Sequence, residues 1–422
     1  MIRKTAAPAY GLALLSLVSF FNYLDRMVIA VMVEPMKRDL GLSDTQIGLV
    51  SGLAFAALYA VCGLPLARVA DRGSRKWLLA ACLTVWSAMT ALTGAVRSFP
   101  ELFLARMAVG VGEAGCVPSS HSMIGDLFPP ERRAFAIGVF QSGGLLGLSV
   151  GLAVAGLAAE RFGWRAALVG IGLAGLPLAA LVALTLREPA RHTATAEAEP
   201  IQAALRALMA RRPLLHVIAG LSLGAFATYG MAQWLPAFFI RSHGASLAQV
   251  GIYGALIGGV AGVLGTVIAG LAMVRLRPRD QRWELWLPAG TYLLALPLYA
   301  ASFAVGELMA ALGLQFAAVF LAAGGGSVAI SAIQTFAEPN RRATAVAVMM
   351  FLSSLIGLGL GPASVGMASD ALVLTSGVDS LRHSLILSTA FLGWAALHFA
   401  AAARCTPTTV YSGEPQYADH QR

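Results

Sequence analysis

Tyr10 to Val33 reads YGLALLSLVSFFNYLDRMVIAVMV. The run is long enough to cross a bilayer as a helix, which takes about 20 apolar residues. Yet Asp25 and Arg26 stand side by side within it. An ionised side chain near the middle of such a helix costs roughly 2.5–3.5 kcal/mol on insertion scales. Two in succession are more than a mere anchor carries. An acid in this setting reads as functional, and its partner is to be sought elsewhere in the membrane.

The same apolar character runs through the whole chain of 422 residues, 58% hydrophobic and only 12% charged. Mean hydropathy is +0.73. Soluble domains carry about 25% charged residues, so this is read as a polytopic membrane protein, solvated by lipid. The first stretch is too long for a cleavable signal peptide and lacks a small-residue cleavage site. Cys62, Cys82, Cys116 and Cys405 are scattered without CxxC or metal spacing, so neither a disulfide framework, a metal nor a cofactor is expected. No Ser-His-Asp motif or His/Cys cluster supports an enzyme, and no P-loop supports an ATP-driven pump. The net charge of +9 fits basic loops of a membrane protein better than nucleic-acid binding.

Apolar segments lie near 10–33, 45–67, 77–96, 101–124, 134–159 and 164–186. A polar stretch, 187–213, follows. Six more segments lie near 214–240, 247–273, 285–304, 307–334, 343–368 and 382–403, with 307–334 broken by Gly324, Gly325 and Gly326. The expected fold is an all-α membrane protein of 12 transmembrane helices in two six-helix, pseudo-symmetric bundles. The units are 1–186, a cytoplasmic linker 187–213, 214–404, and a polar tail 405–422. If the N-terminus is cytoplasmic, 21 of the 30 Lys and Arg fall in inside loops and tails. The positive-inside rule selects that orientation, in a plasma (inner) membrane with both termini cytoplasmic.

The halves repeat. Pro130-Glu131-Arg132-Arg133-Ala134 recurs as Pro339-Asn340-Arg341-Arg342-Ala343, each opening the fifth helix of its half. Ser43-Asp44-Thr45-Gln46 recurs as Ser246-Leu247-Ala248-Gln249, each opening the second. Duplicated six-span halves mark transporters with a midplane site at the repeat interface.

The loop after the second helix runs Ala67-Arg68-Val69-Ala70-Asp71-Arg72-Gly73-Ser74-Arg75-Lys76. It resembles the loop signature of the major facilitator superfamily, with Ala67 in place of the first Gly. Asp71 at a helix end can pair with arginines and with the N-terminus of a neighbouring helix. Asp71, Arg72, Arg75 and Lys76, with Arg132 and Arg133, are therefore read as a cytoplasmic latch that holds the outward-open state. A stop-transfer cluster is the plainer alternative. In the second half Val274 replaces the acid, so the two latches are expected to be unequal.

The fourth helix carries Arg106-Met107-Ala108-Val109-Gly110-Val111-Gly112-Glu113, similar to the superfamily's R-x-x-x-G-x-G motif. Arg106 and Glu113, seven apart, share a helix face and lie about 10 Å apart in depth. The first helix runs the opposite way, which brings Asp25 and Arg26 to the depth of Arg106 and predicts an Asp25–Arg106 pair. Asp25 and Arg26 are ~100° apart around the helix and cannot serve one partner equally. A static ion pair is one reading; a switch in which protonation of Asp25 or Glu113 frees an arginine is the other. Gly357, Gly359, Gly361 and Pro362 in the eleventh helix allow close approach and bending, whereas the fifth helix has Gly143, Gly144 and Gly147 without a Pro. Asn22, Gln141, Tyr229, Gln233 and Trp234 are cavity candidates, with packing an equal alternative. His121 reads as packing or interface.

FFNYLDR, RMAVGVGEAG, DLFPPERRA, YGMAQWLPAFFIRSHG and NRRATAVAVM together resemble the Spinster branch of the major facilitator superfamily, over close to 380 residues. The resemblance implies a monomeric secondary transporter that couples protons to movement of a lysophospholipid- or sphingolipid-like amphiphile within membrane lipid. Small organic anions or drugs are the alternative cargo. It also implies that Asp25, Arg26, Arg106 and Glu113 form the coupling site.

Overall fold

The computed structural model describes residues 2–190, 206–338 and 341–407. The first half opens with α1 (Ile2–Leu40), then α2 (Asp44–Gly48), a π-helical turn (Leu49–Leu53), α3 (Ala54–Arg72) and α4 (Arg75–Thr93). α5 (Phe99–Ala114) and α6 (Cys116–Leu127) make one pass interrupted at Gly115, and α7 (Pro130–Thr185) makes two. The second half begins with α8 (Arg212–His243), α9 (Leu247–Gly254), a π-helical stretch (Ala255–Ala261) and α10 (Gly262–Leu276). α11 (Trp283–Ala304) and α12 (Leu308–Phe336) follow. α13 (Arg342–Leu352), a third π-helical stretch (Ser353–Leu360) and α14 (Gly361–Ser376) form one rod, and α15 (Ser380–Cys405) ends the described chain.

Nine of the described helices are long and apolar enough to cross a membrane. Two of these, Glu131–Thr185 and Thr344–Cys405, each hold two passes, because Gly163 (φ +80°) and Gly377 (φ +53°) take backbone angles that favour glycine and turn the chain. The pass made by α5 and α6 is cut short of that length by Gly115. The described helices follow the expected segment order. The run Gly324–Gly326 does not break its helix: α12 is continuous through it. A Cβ at Gly324 would stand 2.8 Å from the Gly265 carbonyl oxygen, and one at Gly325 2.1 Å from Thr291 Oγ1. The glycines are contact points for α10 and α11. Most of the 187–213 linker and of the 405–422 tail lies outside the described residues.

The repeated Ser-x-x-Gln has a physical role. Ser43 Oγ accepts from the Gln46 N–H while the Gln46 side chain accepts from the Ser43 N–H, and Ser246 with Gln249 does the same. Each is a capping box. Each capped helix then passes into a π-helical stretch, a local irregularity that recurs at functional sites.

The first half begins and ends at one end of the bundle: Tyr10 Oη lies 2.5 Å from Thr185 Oγ1. We call this the terminal end. The two halves are joined at the opposite, far end. There Arg241 of α8 pairs with Glu34 of α1 and Asp44 of α2, both at 2.7 Å. Lys37 Nζ reaches Asp44 Oδ1 at 2.5 Å, Ser369 Oγ donates to Asp44 Oδ2, and Asp370 accepts from the Asp44 and Thr45 backbone N–H groups. Glu160 at the end of the fifth pass accepts from the Ala248 N–H. Glycines let backbones touch across this joint. A Cβ at Gly366 would lie 2.2 Å from the Asp44 carbonyl oxygen, one at Gly48 2.6 Å from that of Pro362, and one at Gly156 2.3 Å from that of Leu247. One apolar core runs through the joint, from Ile29, Met32 and Met36 to Phe238 and Phe239. A second, including Leu15, Trp86 and Phe140, fills the terminal part of the first half.

Candidate functional site

α1 and α5 are antiparallel, and the α5 face bearing Arg106 and Glu113 is turned to α1. Arg26 Nε donates to Glu113 Oε2 at 2.6 Å, and Arg106 Nη1 stands 3.8 Å from Asp25 Oδ2. The adjacent residues Asp25 and Arg26 thus take different partners, as their ~100° separation requires. The side chains of Asp25, Arg106 and Glu113 keep 4%, 3% and 0% of their exposure, and that of Arg26 keeps 14%. The motif glycines let α5 pack tightly against α3 and α4 behind the pairs. A Cβ at Gly110 would lie 2.5 Å from the Phe55 carbonyl oxygen, and one at Gly112 2.7 Å from the Trp86 nitrogen.

Hydrogen-bonding capacity is left over around the pairs. Among the described residues, Asp25 Oδ2, Glu113 Oε1, Arg26 Nη2, Arg106 Nε, Asn22 Nδ2 and Thr90 Oγ1 are buried without a hydrogen-bond partner. Each such group costs about 1–3 kcal/mol. Surplus donors and acceptors beside two ion pairs are what a site needs if its partners are to exchange.

Arg26 is also held by aromatic rings. Its guanidinium carbon is 4.6 Å from the Tyr59 ring centre, 5.2 Å from Phe55 and 5.4 Å from Tyr23. Phe55 and Tyr59, one turn apart on α3, stack at 5.4 Å, and Arg106 lies 5.5 Å from Phe55. Cation–π contacts of this kind are worth about 0.5–2 kcal/mol. Tyr229 of α8, 42% exposed, faces this group from the second half, within electrostatic reach of Arg26, Tyr59 and Tyr23. The sequence reading passed over Phe55 and Tyr23, since aromatics in an apolar helix look the same whether they face lipid or a cation. Tyr23, three residues before Arg26 on the same helix, carried a spacing signal; Phe55 carried none, its neighbours three and four away being Ser51, Gly52, Leu58 and Tyr59.

The remaining candidates divide. Asn22 is buried beside the pairs at 1% exposure. Gln141 is exposed on the stripe of α7 that, two and three turns on, packs against the second half through Leu148, Ser149 and Leu152. It therefore looks into the gap between the halves where they diverge. Gln233 is buried, its Nε2 without a partner among the described residues. Trp234 does not fit a cavity wall: it is fully buried, donates Nε1–H to the Pro362 carbonyl oxygen at 2.9 Å, and packs in the far-end joint. His121, half-buried, packs edge-on to Phe140 at 5.3 Å.

Of the residues read as a latch, Arg75 is turned inward in this conformation. It is 1% exposed and bound inside its own half, by Asp126 at the end of α6 and by Glu188 just past α7. Lys76 stays local too: its ammonium lies 5.1 Å from the Trp77 ring and its N–H donates to Glu188. The reason is position: at the first turn of α4, Arg75 points back between neighbouring helix ends. Asp71, Arg72 and Arg132 are exposed at the terminal end, and Arg133 Nε donates to the Phe128 carbonyl oxygen. Burial alone would lift the Glu188 carboxyl, but the Lys76 N–H, Arg75 and Ser74 hold it below its ordinary value.

Residues 15–362 match the family model described as Major Facilitator Superfamily. An MFS-type efflux pump of Mycolicibacterium smegmatis is 38% identical over 380 residues, covering 89% of this chain and 88% of the relative. A sphingosine-1-phosphate transporter of Danio rerio is 25% identical, covering 87% of this chain and 77% of the relative. Among solved structures, a bacterial homolog of the human lysosomal transporter Spinster, in an inward-facing and unoccupied conformation, superposes with a TM-score of 0.86. It is 30% identical and covers 94% of this chain and 97% of that one. The paired intramembrane charges, the two joined halves and these similarities lead to one conclusion: the chain is a membrane transporter, not an enzyme, and belongs to the major facilitator superfamily in its Spinster-like branch.

Proposed function

We propose that this transporter couples a proton gradient to movement of an anionic amphiphile, lysophospholipid- or sphingolipid-like, by alternating access as a monomer in the plasma membrane. Both termini then face the cytoplasm, and the conformation described, closed at the far end, is inward-facing. The observation that carries the reading is the crossed pairing of Asp25 with Arg106 and of Arg26 with Glu113, with Arg26 reaching the gap between the halves. Protonation of Glu113 removes the charge that holds Arg26. The guanidinium, steadied by Tyr59 and Phe55, is then available to an anionic headgroup, while the apolar walls of the second half receive the tail. Loss of the headgroup returns Arg26 to Glu113 as the proton leaves. Phosphate and carboxylate both suit a planar guanidinium.

Proteoliposomes with an imposed pH gradient and a fluorescent lysophospholipid test the proposal. Wild-type protein should concentrate the probe in a gradient-dependent way. Glu113→Gln and Asp25→Asn should each keep binding but lose gradient-driven accumulation. Full accumulation by both variants would falsify the coupling role. Accumulation of galactarate in place of the lipid would move the cargo to the small-anion class.

A further inference from the structure

On the outer side of α1, away from the charge pairs, a cavity of about 450 Å³ opens between α1 and both passes of α7. Phe20 and Leu24 line it from α1, Val154 and Phe162 from before the Gly163 turn, and Gly170 and Ala174 from after it. The hollow exists because small residues of the sixth pass stand opposite bulky ones. A Cβ at Gly170 would meet nothing within 4 Å. Leu24 precedes Asp25, so α1 is a wall shared by this groove and the charge cluster.

Groove dimensions point to an occupant. Val154 to Phe162 spans ~12 Å of helix, most of one leaflet of a ~30 Å hydrocarbon core. The volume lies within the roughly 300–1,000 Å³ of small-molecule sites, whereas a packed helix is about 10 Å across and does not enter it. At the mouth, Arg161 is exposed with its guanidinium carbon 5.8 Å from the Phe162 ring centre. Arg161 forms no ion pair among the described residues, while nearby Arg165 is taken by Asp39 at 3.0 Å. A cation set over an apolar slot at the membrane surface complements an acyl chain with a phosphate at its head.

We propose that this groove binds one acyl chain of an anionic phospholipid from the far-end leaflet, with the phosphate on Arg161. It is a site for resident lipid, separate from the transport path.

The full-length protein in lipid nanodiscs can be photolabelled with phosphatidylglycerol or phosphatidylcholine carrying a photoactivatable acyl chain, and the labelled peptides mapped. Phosphatidylglycerol should label Phe20–Leu24 and 154–174 well above other membrane-facing segments. Gly170→Leu, which fills the slot, should cut that labelling at least fivefold, and Ala174→Leu should repeat the effect. Arg161→Gln should bring phosphatidylglycerol down to the phosphatidylcholine level. Uniform labelling, or labelling unchanged in both groove variants while their melting temperatures match wild type, overturns the proposal. So does equal labelling by the two lipids in wild type. A dimer in native mass spectra that Gly170→Leu dissociates would instead make the groove a protein interface and overturn it too.

Discussion

At the scale of single residues, the protein keeps two acids and two bases out of water. Truncating Arg106 leaves Asp25 buried without its cation, which costs about 3–5 kcal/mol for such a pair. Arg106→Met should therefore lower the melting temperature in detergent sharply. Adding Asp25→Asn should recover most of the loss, which a double-mutant cycle measures. Arg26→Lys keeps the charge but not the flat face that meets Tyr59 and Phe55. It should raise KM about tenfold, equivalent to ~1.4 kcal/mol, in the range of a cation–π cage. The four charges were legible in the sequence because each breaks an apolar run at a cost. Their crossed pairing was half legible: the Asp25–Arg106 pair followed from depth, whereas Arg26–Glu113 depended on rotation about α1. The rings around Arg26 and the burial of Trp234 were not legible, since only tertiary packing tells a ring at a cation from a ring at lipid.

Elements meet through glycines and helix ends. A Cβ at Gly147 would sit 2.1 Å from the Phe20 carbonyl oxygen, and the neighbour is backbone that must move. A Cβ at Gly138, on the same helix, meets nothing within 4 Å. Gly147→Ala should destabilise by roughly 2 kcal/mol or more, while Gly138→Ala should be neutral or slightly stabilising; thermal unfolding of the two variants decides. Glu188 ties α4 to the end of α7, with its carboxyl held low. A depressed carboxyl adds stability that is present above its unfolded value and lost as pH falls through the folded one. Wild type and Glu188→Gln should differ in melting temperature at pH 7, and the gap should close as pH drops below about 4.3. Span positions were readable from apolar runs and caps. The break at Gly115 and the inward turn of Arg75 were not, because both depend on what neighbouring helices leave room for.

For the whole molecule, the far-end joint is the closed gate of the proposed cycle. Arg241 is its hub, reaching two helices of the other half. Arg241→Ala should shift the population toward a far-end opening. Spin labels at Arg161 and Val378, both exposed at that end, report it as a longer distance component, in a background with Cys62 and Cys405 replaced. An unchanged distance distribution would assign closure to the apolar core instead. The two-bundle plan was fully legible from the internal repeats; the conformation was not, because one set of residues serves every state of the cycle.

At the backbone contact of Gly52 with Gly359, a Cβ on Gly52 would have only 2.4 Å to the facing carbonyl oxygen. With no side chain between them, the two helices can tilt on each other there but hardly separate. That contact is a fulcrum with unequal arms. It stands ~12 Å from the far-end Asp44 and ~30 Å from Arg72 at the other end. The same tilt therefore moves the terminal mouth about two and a half times as far as the seal. A small displacement released at Asp44 and Arg241 is thereby enlarged at the terminal mouth, and the seal's short, strong bonds act as the effort side of the lever.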